Sequence, residues 1–256
     1  MQRDGALIHI KGLTRRFGGV AAVDEVSFQV APRAITGVIG PNGAGKSTLL
    51  SLLAGQLQPH AGTIRLHGSR IDRLPPHRRY ARGVARTFQI PRPFRRMSVL
   101  ENLLLARPAQ QGERLGAVFW SPRRVAAAER HATERALAVL GELGLQHAAS
   151  SPAGELSGGQ LKLLELGRAL MAAPQVLLLD EPCAGVNPVG IAALSEAILR
   201  LRDSGMTFII VEHNVDFVGR HCDEVVVMAQ GRVLTQGAPE TVRRDPRVLE
   251  AFLGDA

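Results

Sequence analysis

The sequence predicts an α/β fold: a core of parallel strands and helices, an antiparallel β part drawn from the first third of the chain, and an inserted α-helical part. Three observations predict it. The apolar run "ITGVIG" passes directly into the glycine loop "GPNGAGKST" and then into a helical stretch, a strand–turn–helix order. Later, "VLLLD" and "TFIIVEH" are near-continuous apolar runs, as strands buried on both faces of a parallel sheet should be. Between the glycine loop and these later runs, from about residue 90 to 154, the β character gives way to proline-broken and then helical sequence.

In chain order, the first third reads as short β-segments: "LIHIKGL", "VSFQV", "ITGVIG" and, after the first helix, "TIRLHG". Gly18-Gly19, Pro32 and Gly62 punctuate them. The helix "KSTLLSLLAG" stops at Gly55, with Pro59 just beyond. In the middle part, Pro91, Pro93 and Pro108 surround "MSVLENLLLA", and "RRVAAAERHATERALAVLGELGL" carries apolar residues at three-to-four spacing. Near the end, "EVVVMAQGRVLTQG" predicts a hairpin turning at Gln230-Gly231, and the tail predicts short helices. The expectation is one domain over residues 1–256, with the helical subdomain inserted at about 90–154.

Bulk properties narrow the function classes. Apolar residues make up 45% and mean hydropathy is +0.05, neither a disordered nor a membrane composition. The longest uninterrupted apolar run is five residues, far short of the ~20 that cross a bilayer. The opening "MQRDGALIHIKG" lacks the apolar centre of a secretory signal, so a cytoplasmic setting is expected. Cys183 and Cys222 lie 39 residues apart without CxxC spacing or paired histidines, and read as ordinary thiols. The formal charge is +8, but the arginines are dispersed and aromatic content is only 4%. No basic block with interleaved aromatics is present, so solvated surface is expected in place of nucleic-acid binding. Contact with anionic lipid headgroups beside a membrane partner stays open.

The chemistry starts at the glycine loop. Gly40, Gly45, Lys46 and Ser47 satisfy G-x-x-x-x-G-K-[ST], which makes this a P-loop NTPase core. Gly40, Pro41, Asn42, Gly43, Ala44, Gly45, Lys46, Ser47 and Thr48 would form the nucleotide-binding loop, its N–H groups lining an anion site at a helix N-terminus. Lys46 can reach the β- and γ-phosphates, and the Ser47 hydroxyl can ligand Mg²⁺. The magnesium site also needs a distant carboxylate, and Asp180 at the end of "VLLLD" supplies it. Alternation past the strand end turns the next residue, Glu181, toward an attacking water, as base or water-positioning residue. His213, in "VEHN", can hydrogen-bond a γ-phosphate or orient the water and Glu181. Gln89, in "ARTFQIPR", can touch Mg²⁺ or water and relay nucleotide state to the inserted part.

A further stretch, "LSGGQ", has no phosphate lysine of its own. Ser157 can cap the helix "QLKLLELGRALMAA", while Gly158, Gly159 and Gln160 complete a second phosphate-type anion site. One triphosphate does not need two such sites. The economical explanation is a nucleotide held mainly by another subunit.

With these motifs in place, the chain resembles the ATP-binding-cassette (ABC) family over essentially its whole length. The phosphate loop, the glutamine at Gln89, the LSGGQ signature, the acidic strand end and the histidine loop follow the family's order and spacing. Phe17 falls where that family places an aromatic residue to stack on adenine, which implies ATP with Mg²⁺. The resemblance implies two cassettes closing head-to-tail, each ATP lying between one chain's phosphate loop and the other's signature. In "CAGVNP", Asn187 stands where many cassettes carry Asp.

"LTRRFGGVAAVDEVSF", "GVARTFQIPRPFRRMSVLENLLLA", "DEPCAGVNP" and "RDPRVLEAFLG" are similar to ATP-binding subunits of branched-chain amino acid importers of the LivG type. That implies a peripheral ATPase on the cytoplasmic face of the plasma membrane. Its expected partners are two transmembrane permease subunits, a second ABC ATPase subunit (a relative or a copy) and, indirectly, a solute-binding protein, with no nucleic acid. The plain signature followed by Leu161-Lys162, and Ala31-Pro32-Arg33-Ala34 before the phosphate-loop strand, depart from that group. The alternatives are an ABC exporter ATPase, for example one extracting lipids, and a soluble non-transport ABC ATPase. The latter usually has two cassettes per chain or long coiled coils, and this chain has neither.

Overall fold

Antiparallel pairing begins with the first strand after the N-terminus. The fold is that of a computed structural model, which describes residues 5–87, 93–108 and 122–253. Strands β1 (Ile8–Phe17) and β2 (Val20–Val30) form a hairpin across Gly18-Gly19. After β3 (Ile35–Ile39) and helix α1 (Lys46–Ala54), β4 (Ala61–Leu66) and the short β5 (Ser69–Arg70) complete a four-stranded sheet of order β2-β1-β4-β5. Helix α2 (Pro76–Tyr80) then leads to β6 (Val84–Arg86).

The second sheet has order β10-β9-β3-β8-β7-β6, where β7 is Val176–Asp180, β8 Thr207–Val211, β9 Glu224–Ala229 and β10 Arg232–Gly237. All its pairings are parallel except β9–β10. Every residue of β3, β7 and β8 is buried, which is why these strands read as unbroken apolar runs. The β9–β10 hairpin turns at Gln230 (φ 48°) and Gly231 (φ 79°), the doubly positive turn that matches strand twist. Strand β6 escaped the sequence reading: three residues after a glycine turn carry no measurable periodicity.

The described residues divide into two compact units. One holds residues 5–87, 174–184 and 198–253, and with them both sheets. Its core packs Leu13, Val23 and Ile64 of the antiparallel sheet with Leu49, Leu50 and Leu52 of α1 and with Val38, Leu178 and Ile209 of the parallel sheet. Burying each such leucine contributes about 1.5–3 kcal/mol. The far end of α1 is closed by Arg79, which is fully buried. Its guanidinium donates to the carbonyls of Leu52 and Leu53 (2.9 Å to the latter), Asp72 (2.7 Å) and Leu74 (3.0 Å). Burial lowers its pKa to about 10, so it stays a cation at the negative end of the helix dipole at pH 7.

The other unit holds residues 93–108, 122–173 and 185–197 and is helical. It contains α3 (Val99–Leu105), α4 (Pro122–Glu142) and α5 (Gly158–Leu170). Helix α6 (Pro188–Asp203) begins in it. Asn102, fully buried on α3, accepts from the Phe94 N–H (2.8 Å) and donates to the Phe94 carbonyl (3.1 Å). It thereby fixes the chain entering α3. The chain closes in the first unit with α7 (Val215–His221), α8 (Pro239–Arg243) and α9 (Pro246–Leu253). Among the described residues, no helix is long and apolar enough to cross a membrane. Cys183 and Cys222 are buried and form no disulfide, and burial pushes the Cys222 thiol up to about 12.

Candidate active site

The glycine loop hangs from the C-terminal end of β3, the middle strand between β9 and β8, which is where open parallel sheets place ligands. Two glycines are sterically required. A Cβ on Gly40 would lie 2.0 Å from the Met228 carbonyl oxygen, and one on Gly45 2.0 Å from that of Ala22. Gly45, at φ 96°, is the N-cap of α1 and gives it no side-chain cap. The first-turn N–H groups of Ser47 and Thr48 therefore face the loop, since an α-helix leaves them without intrahelical acceptors. Buried Lys46 curls back over the turn, its Nζ donating to the carbonyls of Gly40 (2.6 Å) and Pro41 (2.8 Å). The Gly231 N–H donates to the Ala44 carbonyl (3.1 Å), so the β9–β10 turn braces the loop.

Asp180 ends β7 and is buried. Its Oδ2 accepts from Arg86 Nη2 at 2.7 Å, while Oδ1 is buried with no hydrogen-bond partner among the described residues. Glu181 leaves the strand at φ 47°, a left-handed conformation that costs a non-glycine residue roughly 1 kcal/mol or more. This turn, and not continued strand alternation, is what parts its carboxylate from that of Asp180. Its N–H still donates to Val211 (2.9 Å), and its Oε1 lies 2.9 Å from His213 Nε2. A neutral imidazole carrying its proton on Nε2 makes that a donated hydrogen bond.

Sequence reasoning missed Glu212, buried beside His213. Its carboxylate accepts from the N–H groups of Cys183 (2.7 Å), His213 (3.0 Å) and Asn214 (3.1 Å). It thus clamps the exits of β7 and β8 together and sets where Glu181 and His213 stand. The available signal was an acid embedded after "FIIV", where burial demands hydrogen-bond partners. Phe17, at the end of β1, is half exposed, with the Arg15 guanidinium 4.9 Å from its ring centroid. Gln89 lies outside the described residues.

The helical unit holds the signature. Ser157 Oγ accepts from the Gln160 N–H (3.3 Å) and Gln160 Oε1 from the Ser157 N–H (3.0 Å), a reciprocal capping box opening α5. Gly158 is exposed, whereas Gly159 is buried against α6: a Cβ there would lie 2.7 Å from Gly190 Cα. Asn187 accepts from the Gly190 N–H (2.8 Å), the bond an aspartate would make at the same helix start.

Residues 23–184 match the family described as ABC transporter, and residues 232–256 match the one described as branched-chain amino acid ATP-binding cassette transporter. The chain belongs to the ABC transporter family. It is an ABC ATPase. Similar curated proteins include the probable branched-chain amino acid transport ATP-binding protein LivG of Archaeoglobus fulgidus, 41% identical over 97% of this chain and 95% of that one. The high-affinity branched-chain amino acid transport ATP-binding protein BraF of Pseudomonas aeruginosa is 40% identical over 98% of each chain. LivG of Escherichia coli K12 is 38% identical over 98% of each. A nucleotide-free ATP-binding cassette from an ABC transporter superposes with TM-score 0.85 at 36% identity, covering 96% of this chain and 98% of that one. The ADP conformation of such a cassette gives 0.84 at 35% identity, covering 97% and 99%. Its fold is thus the ABC ATPase fold: a P-loop core with an antiparallel β subdomain and an inserted helical subdomain.

Proposed function

We propose that this cassette is the ATP-hydrolysing motor of a membrane importer for branched-chain or other hydrophobic amino acids. Near full-length similarity to LivG and BraF proteins, together with the C-terminal match at residues 232–256, carries the transport half of this reading. The chemistry rests on the pairing of Glu181 with His213 beside Asp180 and the phosphate loop.

ATP is held by its phosphates on the N-terminus of α1, with Lys46 and the N–H groups of Ser47 and Thr48 as donors. Phe17 stacks on the adenine. The residues present fit Mg²⁺. Asp180 carries one buried oxygen without a partner, and no cluster of three His, Cys, Asp or Glu side chains competes for a cation among the described residues. One carboxylate plus the Ser47 hydroxyl suits an ion that takes its other oxygens from phosphate and water. When bound, Mg²⁺ supplies charge neutralisation at the phosphates. Glu181 orients the attacking water and takes its proton, and His213 holds the Glu181 carboxylate in place. Gln89 serves as the link to the helical subdomain.

Ser157, Gly158, Gly159 and Gln160 serve the ATP of a second ABC ATPase in a head-to-tail dimer. ATP-driven closure and hydrolysis-driven release move two permease subunits, which receive solute from a solute-binding protein at the membrane's outer side. The cassette itself sits peripherally on the cytoplasmic face.

The test is to purify the Glu181→Gln variant from its own membranes with Mg-ATP and identify what accompanies it. Two membrane subunits and a second cassette support the importer. A soluble dimer, or one carrying ribosomes or DNA, overturns the transport half and leaves the ATPase chemistry standing.

A further inference from the structure

Arg86 lies within "ARTFQIPR", where the sequence gives it no role, yet it touches Asp180 directly and reaches Ser47 through Ser51. From the end of the edge strand β6, its Nη2 donates to Asp180 Oδ2 at 2.7 Å. Its Nη1 donates to Ser51 Oγ at 3.0 Å and to Gln56 Oε1. Ser51 Oγ in turn donates to the carbonyl of Ser47 at 2.7 Å. One guanidinium therefore links the carboxylate of Asp180 to the backbone beneath the Ser47 hydroxyl. Both ends of the Arg86–Asp180 pair are largely withdrawn from water, with side-chain exposures of 16% and 6%.

The pattern of used and unused oxygens gives the arrangement its meaning. Asp180 Oδ2 is taken by Arg86, while Oδ1 is buried and has no protein partner among the described residues. A buried carboxylate oxygen without a partner is costly unless something else meets it. A planar guanidinium has the shape to fix one oxygen and leave the other open, while its second arm reaches elsewhere. Carboxylates that bind metals are held in this way by outer hydrogen-bond partners, and losing such a partner typically weakens the metal about 10–100-fold.

We infer that Arg86 is a positioning residue for Mg²⁺: it holds Asp180 by Oδ2, presents Oδ1 as the ligating oxygen, and keeps Ser47 in register through Ser51. The inference rests on the reading of Ser47 and Asp180 as the metal's protein ligands. It also predicts the direction of the effect. A guanidinium acting only as a counter-ion would compete with the cation, and its removal would tighten the metal. A positioning guanidinium makes removal weaken it.

The experiment measures binding, not turnover. ATP affinity is determined by equilibrium dialysis in EDTA, and Mn²⁺ affinity of the ATP complex by the electron paramagnetic resonance signal of protein-bound Mn²⁺. The proteins are wild type, Arg86→Gln, Ser51→Ala and, as the marker for a lost ligand, Asp180→Asn. Arg86→Gln should keep metal-free ATP affinity within about twofold and lose about tenfold or more in Mn²⁺ affinity. Ser51→Ala leaves the Arg86–Asp180 pair in place and should shift Mn²⁺ affinity in the same direction by less, which keeps the test valid should Arg86→Gln not fold. Unchanged or tighter Mn²⁺ binding in Arg86→Gln overturns the inference. So does an equal fall in metal-free ATP affinity, the mark of general damage to the loop. Absence of ATP-dependent Mn²⁺ binding in the wild type is a different result: it refutes the Ser47–Asp180 site itself, and the Arg86 inference falls with it.

Discussion

Two helix N-termini in this chain, those of α1 and α5, carry the proposed nucleotide contacts, and they are built differently. Helix α1 starts on a left-handed glycine, receives no side-chain cap, and follows a turn whose Gly40 and Gly45 leave no room for a Cβ beside the carbonyls of Met228 and Ala22. Helix α5 starts on Ser157 with a complete capping box, so the Gln160 N–H already has an acceptor. The first terminus presents donors that only a ligand or water can satisfy. The second satisfies part of its own need, worth about 1 kcal/mol to the helix. An anion reaching α5 finds the Gln160 N–H already engaged, one donor fewer than α1 offers. Under the proposed function the difference predicts an order of events: nucleotide should bind at α1 of a single cassette, and α5 should contribute only once a second chain brings its phosphate close.

Four substitutions break or sharpen that contrast. The largest effect is expected from Glu181→Gln. ATP is then not consumed and both termini stay engaged, so turnover should fall about 10²–10⁴-fold while ATP binding survives and a dimer accumulates on size exclusion with Mg-ATP. Normal phosphate release would refute Glu181 as the residue acting on water. Next comes Lys46→Ala, which removes the charged donor at α1. ATP affinity of the single chain, measured by calorimetry, should drop roughly 10–100-fold.

Ser157→Ala is the reciprocal probe at α5. Thermal unfolding should show a loss of about 1 kcal/mol, ATP affinity of the monomer should be unchanged, and turnover of the assembled dimer should fall. A monomer that loses ATP affinity on this change would end the proposed order of events. The smallest effect belongs to Asn187→Asp. The side chain keeps an oxygen for the Gly190 N–H, and a carboxylate at a helix start adds about 0.3–1 kcal/mol at low salt. Unfolding in denaturant should show that small gain vanishing as salt is raised.

How far the site was legible follows the sequence distance over which each part is made. The phosphate loop could be read because strand, turn and helix are contiguous, and a fixed spacing places the lysine and serine. The runs ending at Asp180 and in "VEHN" could be read because burial on both faces of a parallel sheet leaves an unbroken apolar signature. Glu181 was found as an acid after a strand, but its left-handed φ was not, since only the bond from its N–H to Val211 at the end of β8 shows where the chain must turn. Gly159 was read as part of an anion turn, and its second task, letting α5 approach Gly190, depends on a helix that starts some thirty residues later.

The sequence by itself determined the class of fold, the glycine turn before α1, the acidic strand end and the capped start of α5, because each is a local pattern whose geometry the backbone enforces. Only the tertiary structure decided who holds these groups in place. Arg86 meets Asp180 across 94 residues, Glu212 ties Cys183 to the start of the histidine loop, and Arg79 closes the far end of α1. Such partners are chosen by strand order and by burial: a charge removed from water must find its counterpart wherever the fold brings one near. No spacing along the chain records that choice.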